Sequence, residues 1–159
     1  MVKELKVTGT FSIYEDISDL PEAYKRLIEA AGKAALDAHA PYSNFQVGAA
    51  VIDENNKVTI GSNQENAAYP SGLCAERVAI FSAAANEPGV KIEAIAVVAF
   101  RNKEQKSSMP CGACRQVIRE YETKQGTSIK IIMVYKDGNY LISNGAEDLL
   151  PLSFTKTDL

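Results

Sequence analysis

A layered α/β domain built on a mixed sheet is the fold the sequence predicts, and three observations carry it. Apolar residues at helical spacing alternate along the chain with short β-branched runs. The breaks between them fall on turn-forming residues such as Asp137-Gly138-Asn139. The chain has 159 residues, 46% of them hydrophobic. That suits one compact domain burying roughly 70% of its unfolded surface.

Leu5, Val7, Phe11 and Ile13 fall at odd positions within residues 1–18, which predicts a strand or an arm broken at Gly9. Asp19 and Glu22 have capping-box spacing, Pro21 is tolerated in a first turn, and Leu27, Ile28, Ala31, Ala34, Ala35 and Ala38 trace a helical stripe. That helix should stop before Pro41. Residues 45–52 and 57–60 read as strands joined by Asp53-Glu54-Asn55-Asn56, and a polar loop spans 61–72. A second helix is expected from near Ser71, carrying Cys74, Glu76 and Arg77 in its first turns and ending ahead of Pro88. Residues 92–100 read as a buried strand. Pro110 suits the start of a third helix reaching about Tyr121, and residues 129–135 and 140–142 read as strands around the Asp137-Gly138-Asn139 turn. The chain shows no internal repeat, linker or low-complexity segment.

No run approaches the roughly 20 apolar residues of a membrane span, and the start of the chain (Met1-Val2-Lys3-Glu4-Leu5-Lys6) lacks the apolar run of a signal peptide. A cytoplasmic protein without a membrane partner is expected. The net charge is -3 and the basic residues are scattered, so a polynucleotide partner is not expected and a small substrate is. All three cysteines fall in one pattern, which leaves none for a disulfide and agrees with a reducing compartment.

That pattern is Cys74-Ala75-Glu76 followed by Pro110-Cys111-Gly112-Ala113-Cys114. The two-residue gap between Cys111 and Cys114 lets both sulfurs reach one tetrahedral ion, with Cys74 as a distant third ligand. Three protein ligands leave a position open for water, as catalytic zinc sites do, whereas structural sites close with four. Both segments lie at predicted helix N-termini, which favour a thiolate. Three thiolates around a divalent cation are net negative, so compensation is expected from Arg77, three residues after Cys74 on the same face; alternatively Arg77 is a surface residue with a helical partner. Glu76 is a candidate fourth ligand, a helix-favouring acid, or an acid/base facing the open position. The last reading is preferred, because helical geometry turns its side chain by roughly 200° from that of Cys74. A redox dithiol or a zinc knuckle would compete for a lone C-x-x-C, but the distant Cys-Ala-Glu argues against both.

With these motifs on the page, the chain closely resembles the cytidine deaminase family, in its short form with three cysteine ligands. The resemblance runs from about Pro41 to Phe154. It rests on Tyr42-Ser43-Asn44-Phe45-Gln46-Val47-Gly48-Ala49-Ala50, on Gly61-Ser62-Asn63-Gln64-Glu65-Asn66-Ala67-Ala68-Tyr69, on Cys74-Ala75-Glu76-Arg77, on Pro110-Cys111-Gly112-Ala113-Cys114-Arg115-Gln116 and on Leu149-Leu150-Pro151-Leu152-Ser153-Phe154. It implies a three-layer α/β/α sandwich around a five-stranded mixed sheet, one Zn2+ per subunit, and a homotetramer with shared active sites acting on a nucleoside in pyrimidine salvage. Residues 21–159 would form the deaminase domain and residues 1–20 an N-terminal extension. The resemblance also implies that Cys74, Cys111 and Cys114 hold zinc while Glu76 moves protons as activated water attacks C4 of the pyrimidine and ammonia leaves. Asn63 and Glu65 would bind the ribose hydroxyls, Phe45 would lie by the base, and backbone at Ala75 and Cys111 would contact it. Phe154, with the loop around Ala67 and Tyr69, would reach a neighbouring subunit's site, and Arg77 would bond the zinc thiolates. Gln116 would support the site or serve only the fold.

Taken singly, Asn63 and Glu65 read as a solvated loop and Phe45 as core; the assembled pattern reverses that. The segment before about Leu20 and the polar stretch 101–109 extend beyond the pattern and touch no motif. His39, the sole histidine, reads as a cap or surface residue at a helix end. Two rival functions share the zinc motifs: a deaminase of a nucleoside antibiotic such as blasticidin S, and a non-catalytic zinc module. Asn63-Gln64-Glu65-Asn66 fits an unmodified ribose and argues against the first, and Glu76 argues against the second.

Overall fold

Alternation along the central strands sorts apolar residues to opposite faces, and the computed structural model, which describes residues 2–159, shows what covers each face. In β2 (Phe45–Asp53), Ala49 and Val51 point to one side while Ala50 and Ile52 point to the other. β4 (Ile92–Arg101) separates Ile95 and Val97 from Ala94, Ala96 and Val98, and β6 (Lys130–Val134) separates Ile131 and Met133 from Ile132 and Val134. The first set packs with α2 (Ala75–Asn86) and α3 (Gly112–Gln125) through Ala79, Ile80 and Ile118. The second set lies under α1 (Glu22–Leu36), against Leu27, Ile28 and Ala31. One helix on one face and two on the other give the expected three-layer sandwich.

The sheet has seven strands rather than five. Its order is β1 (Phe11–Tyr14), β7 (Tyr140–Ser143), β6, β4, β2, β3 (Val58–Ser62), and β5 (Glu104–Lys106) pairs with β4 off this path. Among the strands of the described residues, β4 and β6 run parallel and the other pairs are antiparallel. Both extra strands come from the segments that extended beyond the family pattern, and both occupy otherwise bare edges. β6 pairs with β4 only from Ala94 to Val97, so the edge from Ala99 to Arg101 is free to take β5. β1 covers the outer edge of β7, with Phe11 opposite Ser143 and Tyr14 opposite Tyr140. Before it, Thr10 N donates to Asp148 Oδ1 at 2.9 Å, while Leu5 and Val7 are exposed and belong to no strand.

Two helix starts differ from the sequence reading. Asp19 does not cap α1: it ends a short 3-10 turn, Ile17–Asp19, capped by Asp16, and Pro21 precedes the first helical residue without a side-chain cap. α2 begins at Ala75 instead of near Ser71, because Tyr69–Ser71 forms its own 3-10 turn and Leu73 is drawn into extended pairing with Gln64. α3 continues past Tyr121 to Gln125 and stops where Gly126 adopts the left-handed conformation, φ 74°.

Gly48 and Gly61 let the helices approach the sheet. A Cβ on Gly48 would lie 1.9 Å from the Ala31 carbonyl oxygen of α1, and one on Gly61 would lie 2.4 Å from the Ala79 nitrogen of α2. Close seating of α2 on β3 fixes the height of its N-terminus, where the candidate site lies.

Candidate active site

Two helix N-termini converge on one point. Cys74 is the N-cap of α2 and Cys111 the N-cap of α3, neither helix having a side-chain capping bond, and Cys114 lies in the first turn of α3. The Cys74 and Cys111 sulfurs are 3.9 Å apart, the Cys111 and Cys114 sulfurs 3.5 Å, and all three lie within 4.8 Å of one another. Four ligands at about 2.3 Å around a tetrahedral zinc would be separated by roughly 3.8 Å, so three thiols so placed fit a single ion. Cys114 is buried and Cys111 exposed, which leaves the pocket side of the cluster accessible.

Local charges favour thiolate. The Cys74 thiol is drawn down to about 5, first by a hydrogen bond from Cys114 and also by Arg77, while Cys114 is pushed up because it donates to Cys74 and is buried. An Arg77 terminal nitrogen donates to Cys74 Sγ at 3.8 Å and to the Gly72 carbonyl at 3.5 Å. Arg77 Nε is buried without a hydrogen-bond partner. A guanidinium packed so closely against this cluster is placed to offset the negative charge of three thiolates.

Glu76 is only 4% exposed, yet it lines an open cavity of about 810 Å³ together with Cys74, Arg77 and Cys111. That volume suits a small organic ligand. Burial pushes the Glu76 carboxyl up to about 7; its own backbone N–H opposes the rise and the Cys74 thiolate adds to it. Its carboxylate is not part of the three-sulfur cluster. An acid/base group beside a metal position, poised near neutrality in the metal-free chain, can move a proton.

The opposite wall comes from β2, the loop after β3 and the turn before β2. Phe45 lines the cavity. Asn63 also lines it, but its side chain extends the sheet: Oδ1 accepts from Val47 N at 2.8 Å and Nδ2 donates to the Phe45 carbonyl at 3.0 Å. Glu65 accepts from Tyr42 N at 2.9 Å, from Ser43 N at 3.3 Å and from Ser43 Oγ at 2.5 Å. These bonds, led by the Ser43 hydroxyl, hold its carboxyl below the usual range. Tyr42 and Tyr69 meet edge to face at the mouth, ring centroids 6.4 Å apart.

Ala75 lines the cavity, whereas Ala67, Gln116 and Phe154 do not. Gln116 Nε2 donates to the Phe154 carbonyl at 2.8 Å, and the Phe154 side chain is 59% exposed. Sequence reasoning missed Tyr42, Ser43 and the wall formed by Ser107, Ser108 and Met109. The last three lie in the 101–109 stretch, which touches no motif in the sequence yet reaches the cavity in the fold. Ser108 explains why they do: its hydroxyl donates to the Val97 carbonyl at 2.6 Å and accepts from Val134 N at 2.9 Å, fastening the loop between β4 and β6 beside the cluster. No local pattern announces that pairing.

Residues 21–128 match the family described as "Cytidine and deoxycytidylate deaminase zinc-binding region". A cytidine deaminase of Sporosarcina psychrophila is 40% identical over 136 residues, covering 85% of this chain and 93% of that protein. One from Halalkalibacterium halodurans is 39% identical over 133 residues, covering 84% and 95%. The crystal structure of cytidine deaminase from Burkholderia pseudomallei superposes with a TM-score of 0.70 at 44% identity, covering 81% of this chain and 97% of that one.

Proposed function

The chain belongs to the cytidine and deoxycytidylate deaminase family, and from that premise we propose that it hydrolytically removes the amino group of cytidine and deoxycytidine. The observation that carries this reading is the buried Glu76 carboxylate in the cavity wall, next to three convergent thiols. Cys74, Cys111 and Cys114 would hold zinc, which would supply a Lewis acid able to acidify water at neutral pH. Everything else falls to side chains of this chain. Glu76 takes a proton from the attacking water and delivers it to N3 of the pyrimidine. It then takes the second proton and passes it to the departing amine. A C4–O bond replaces the C4–N bond, and the two protons of water end on N3 and on ammonia, which balances the hydrolysis.

Phe45 holds the face of the base, and the Ala75 and Cys111 backbones meet its edge at the two helix N-termini. Asn63 and Glu65 take the sugar hydroxyls with the hydrogen-bonding capacity that remains after their contacts to β2 and to the 42–43 turn. Arg77 tempers the thiolates, and Gln116 fixes the backbone of Phe154. We place the activity in pyrimidine salvage in the cytoplasm, where the thiols stay reduced. Residues 21–159 serve as the catalytic domain and residues 1–20 as an extension that adds β1. Zinc-loaded protein should release ammonia from cytidine and deoxycytidine and far less from free cytosine, which lacks the sugar. No ammonia from cytidine at one zinc per chain would sink the reading.

The reading extends to a homotetramer in which Phe154, with the loop around Ala67, completes a neighbour's site, whereas Tyr69 of that loop lines the cavity of its own chain. Its support is the exposed Phe154 ring, which the cavity of its own chain does not use. Mixing a Phe154→Ala chain with a Glu76→Gln chain should then restore activity beyond the sum of the parents, because some sites combine an intact Glu76 with an intact Phe154. Verified subunit exchange without such a gain would count against sharing.

A further inference from the structure

The cavity wall contains a hydroxyl, that of Ser43, which bridges Glu65 and the Phe45 backbone and has no part in the reading above. Ser43 lies in a turn closed by Asn44 N donating to the Ala40 carbonyl at 3.1 Å, with Asn44 in the left-handed region at φ 53°. Its Oγ donates to Glu65 Oε1 at 2.5 Å and accepts from Phe45 N at 3.0 Å. The other Glu65 oxygen is held by the Tyr42 and Ser43 amides. Phe45 N, Ser43 Oγ and Glu65 Oε1 therefore form one directed chain of hydrogen bonds along the wall.

We propose that Ser43 is a positioning residue for nucleoside binding: its hydroxyl orients Glu65 Oε1 and keeps that oxygen an acceptor toward a sugar hydroxyl. The inference rests on the nucleoside reading above and deepens it. A carboxylate offers about four acceptor positions. The chain fills three with its own donors, two on Oε2 and one on Oε1. The Ser43 bond decides where the remaining Oε1 position points. Without it, Glu65 stays tethered through Oε2 but rotates about that anchor, and binding of the sugar must first restore the orientation. Glu76 and the thiols are untouched, so the loss should fall on binding more than on the chemical step.

The test is a double-mutant cycle on the zinc-loaded enzyme with cytidine as substrate. Ser43→Ala is expected to raise KM by about tenfold with kcat within about twofold, the scale of one lost charge-assisted hydrogen bond. Zinc content and Tm should stay at wild-type values. Ser43→Thr should recover most of the loss, and Ser43→Cys, a weaker donor of similar size, should fall between and serves should Ser43→Ala fold poorly. On a Glu65→Gln background, Ser43→Ala should add little. The free Phe45 amide is the competing structural explanation, and it predicts additivity instead. Additive losses, or a fall in kcat at unchanged KM, overturn the proposal while leaving the nucleoside reading standing. A wild-type enzyme that releases no ammonia from cytidine overturns both.

Discussion

Glu76→Gln is expected to lower turnover by about 10²- to 10⁴-fold while leaving one zinc per chain, as measured by metal analysis and ammonia release on the same sample. The retained metal follows from geometry: the converging ligand atoms are the sulfurs of Cys74, Cys111 and Cys114, and the carboxylate is not among them. The lost rate follows from chemistry. An amide of the same shape still fills the buried position but can neither take a proton from water nor give one to N3. Zinc lost in proportion to activity would make Glu76 a ligand and refute the assignment.

The same variant has a second signature in the metal-free chain. Burial holds the Glu76 carboxyl at about 7 in the fold, above its ordinary 4.5. An acid whose folded pKa is raised binds its proton more tightly when folded. Its contribution to stability is therefore complete below about 4.5 and is lost as pH rises toward 7. Metal-free Glu76→Gln should lack that decline and melt above metal-free wild type at pH 8. Bound zinc favours the carboxylate and should erase the difference.

The readable parts of this molecule are those in which local sequence and tertiary structure agree. The apolar runs in residues 45–52 and 92–100 marked central strands, because a strand covered on both faces of the sheet is apolar on both of its sides. The spacing of Cys111 and Cys114 signalled a shared ion because the first turn of a helix brings those sulfurs together. β5 was illegible for the opposite reason: Glu104–Lys106 is short and polar and becomes a strand because β4 presents a bare edge. Phe11 and Ile13, by contrast, already signal the strand after Gly9 that pairs with β7 as β1. The start of α2 was misplaced because Gln64, nine residues upstream of Leu73, holds that segment extended, a contact that capping rules do not contain. Ser43 escaped notice because a serine in a polar turn looks like solvent-facing loop until Glu65 is seen beside it.

Cys114→Ser should abolish stoichiometric zinc binding and activity together, and it should also make the fold indifferent to chelators. Cys114 is fully buried beneath the cluster, so its sulfur has no solvent role to fall back on. A neutral hydroxyl at that place is a poor zinc ligand, and two remaining thiols cannot hold the ion as three do. Metal bound only by the folded chain stabilises it, by about 2.7 kcal/mol when free zinc is 100-fold above Kd. For a domain of this size, stripping wild type with a chelator should lower Tm by roughly 5 to 10 °C. The variant should begin near the stripped wild-type Tm and shift no further when the chelator is added, because the ion whose removal would destabilise it is already missing. That missing shift separates a lost ligand from ordinary core damage: a merely destabilised variant with its zinc in place would start lower and still fall on chelation. Stoichiometric zinc in Cys114→Ser, or a chelator-induced drop as large as that of wild type, would remove Cys114 from the ligand set.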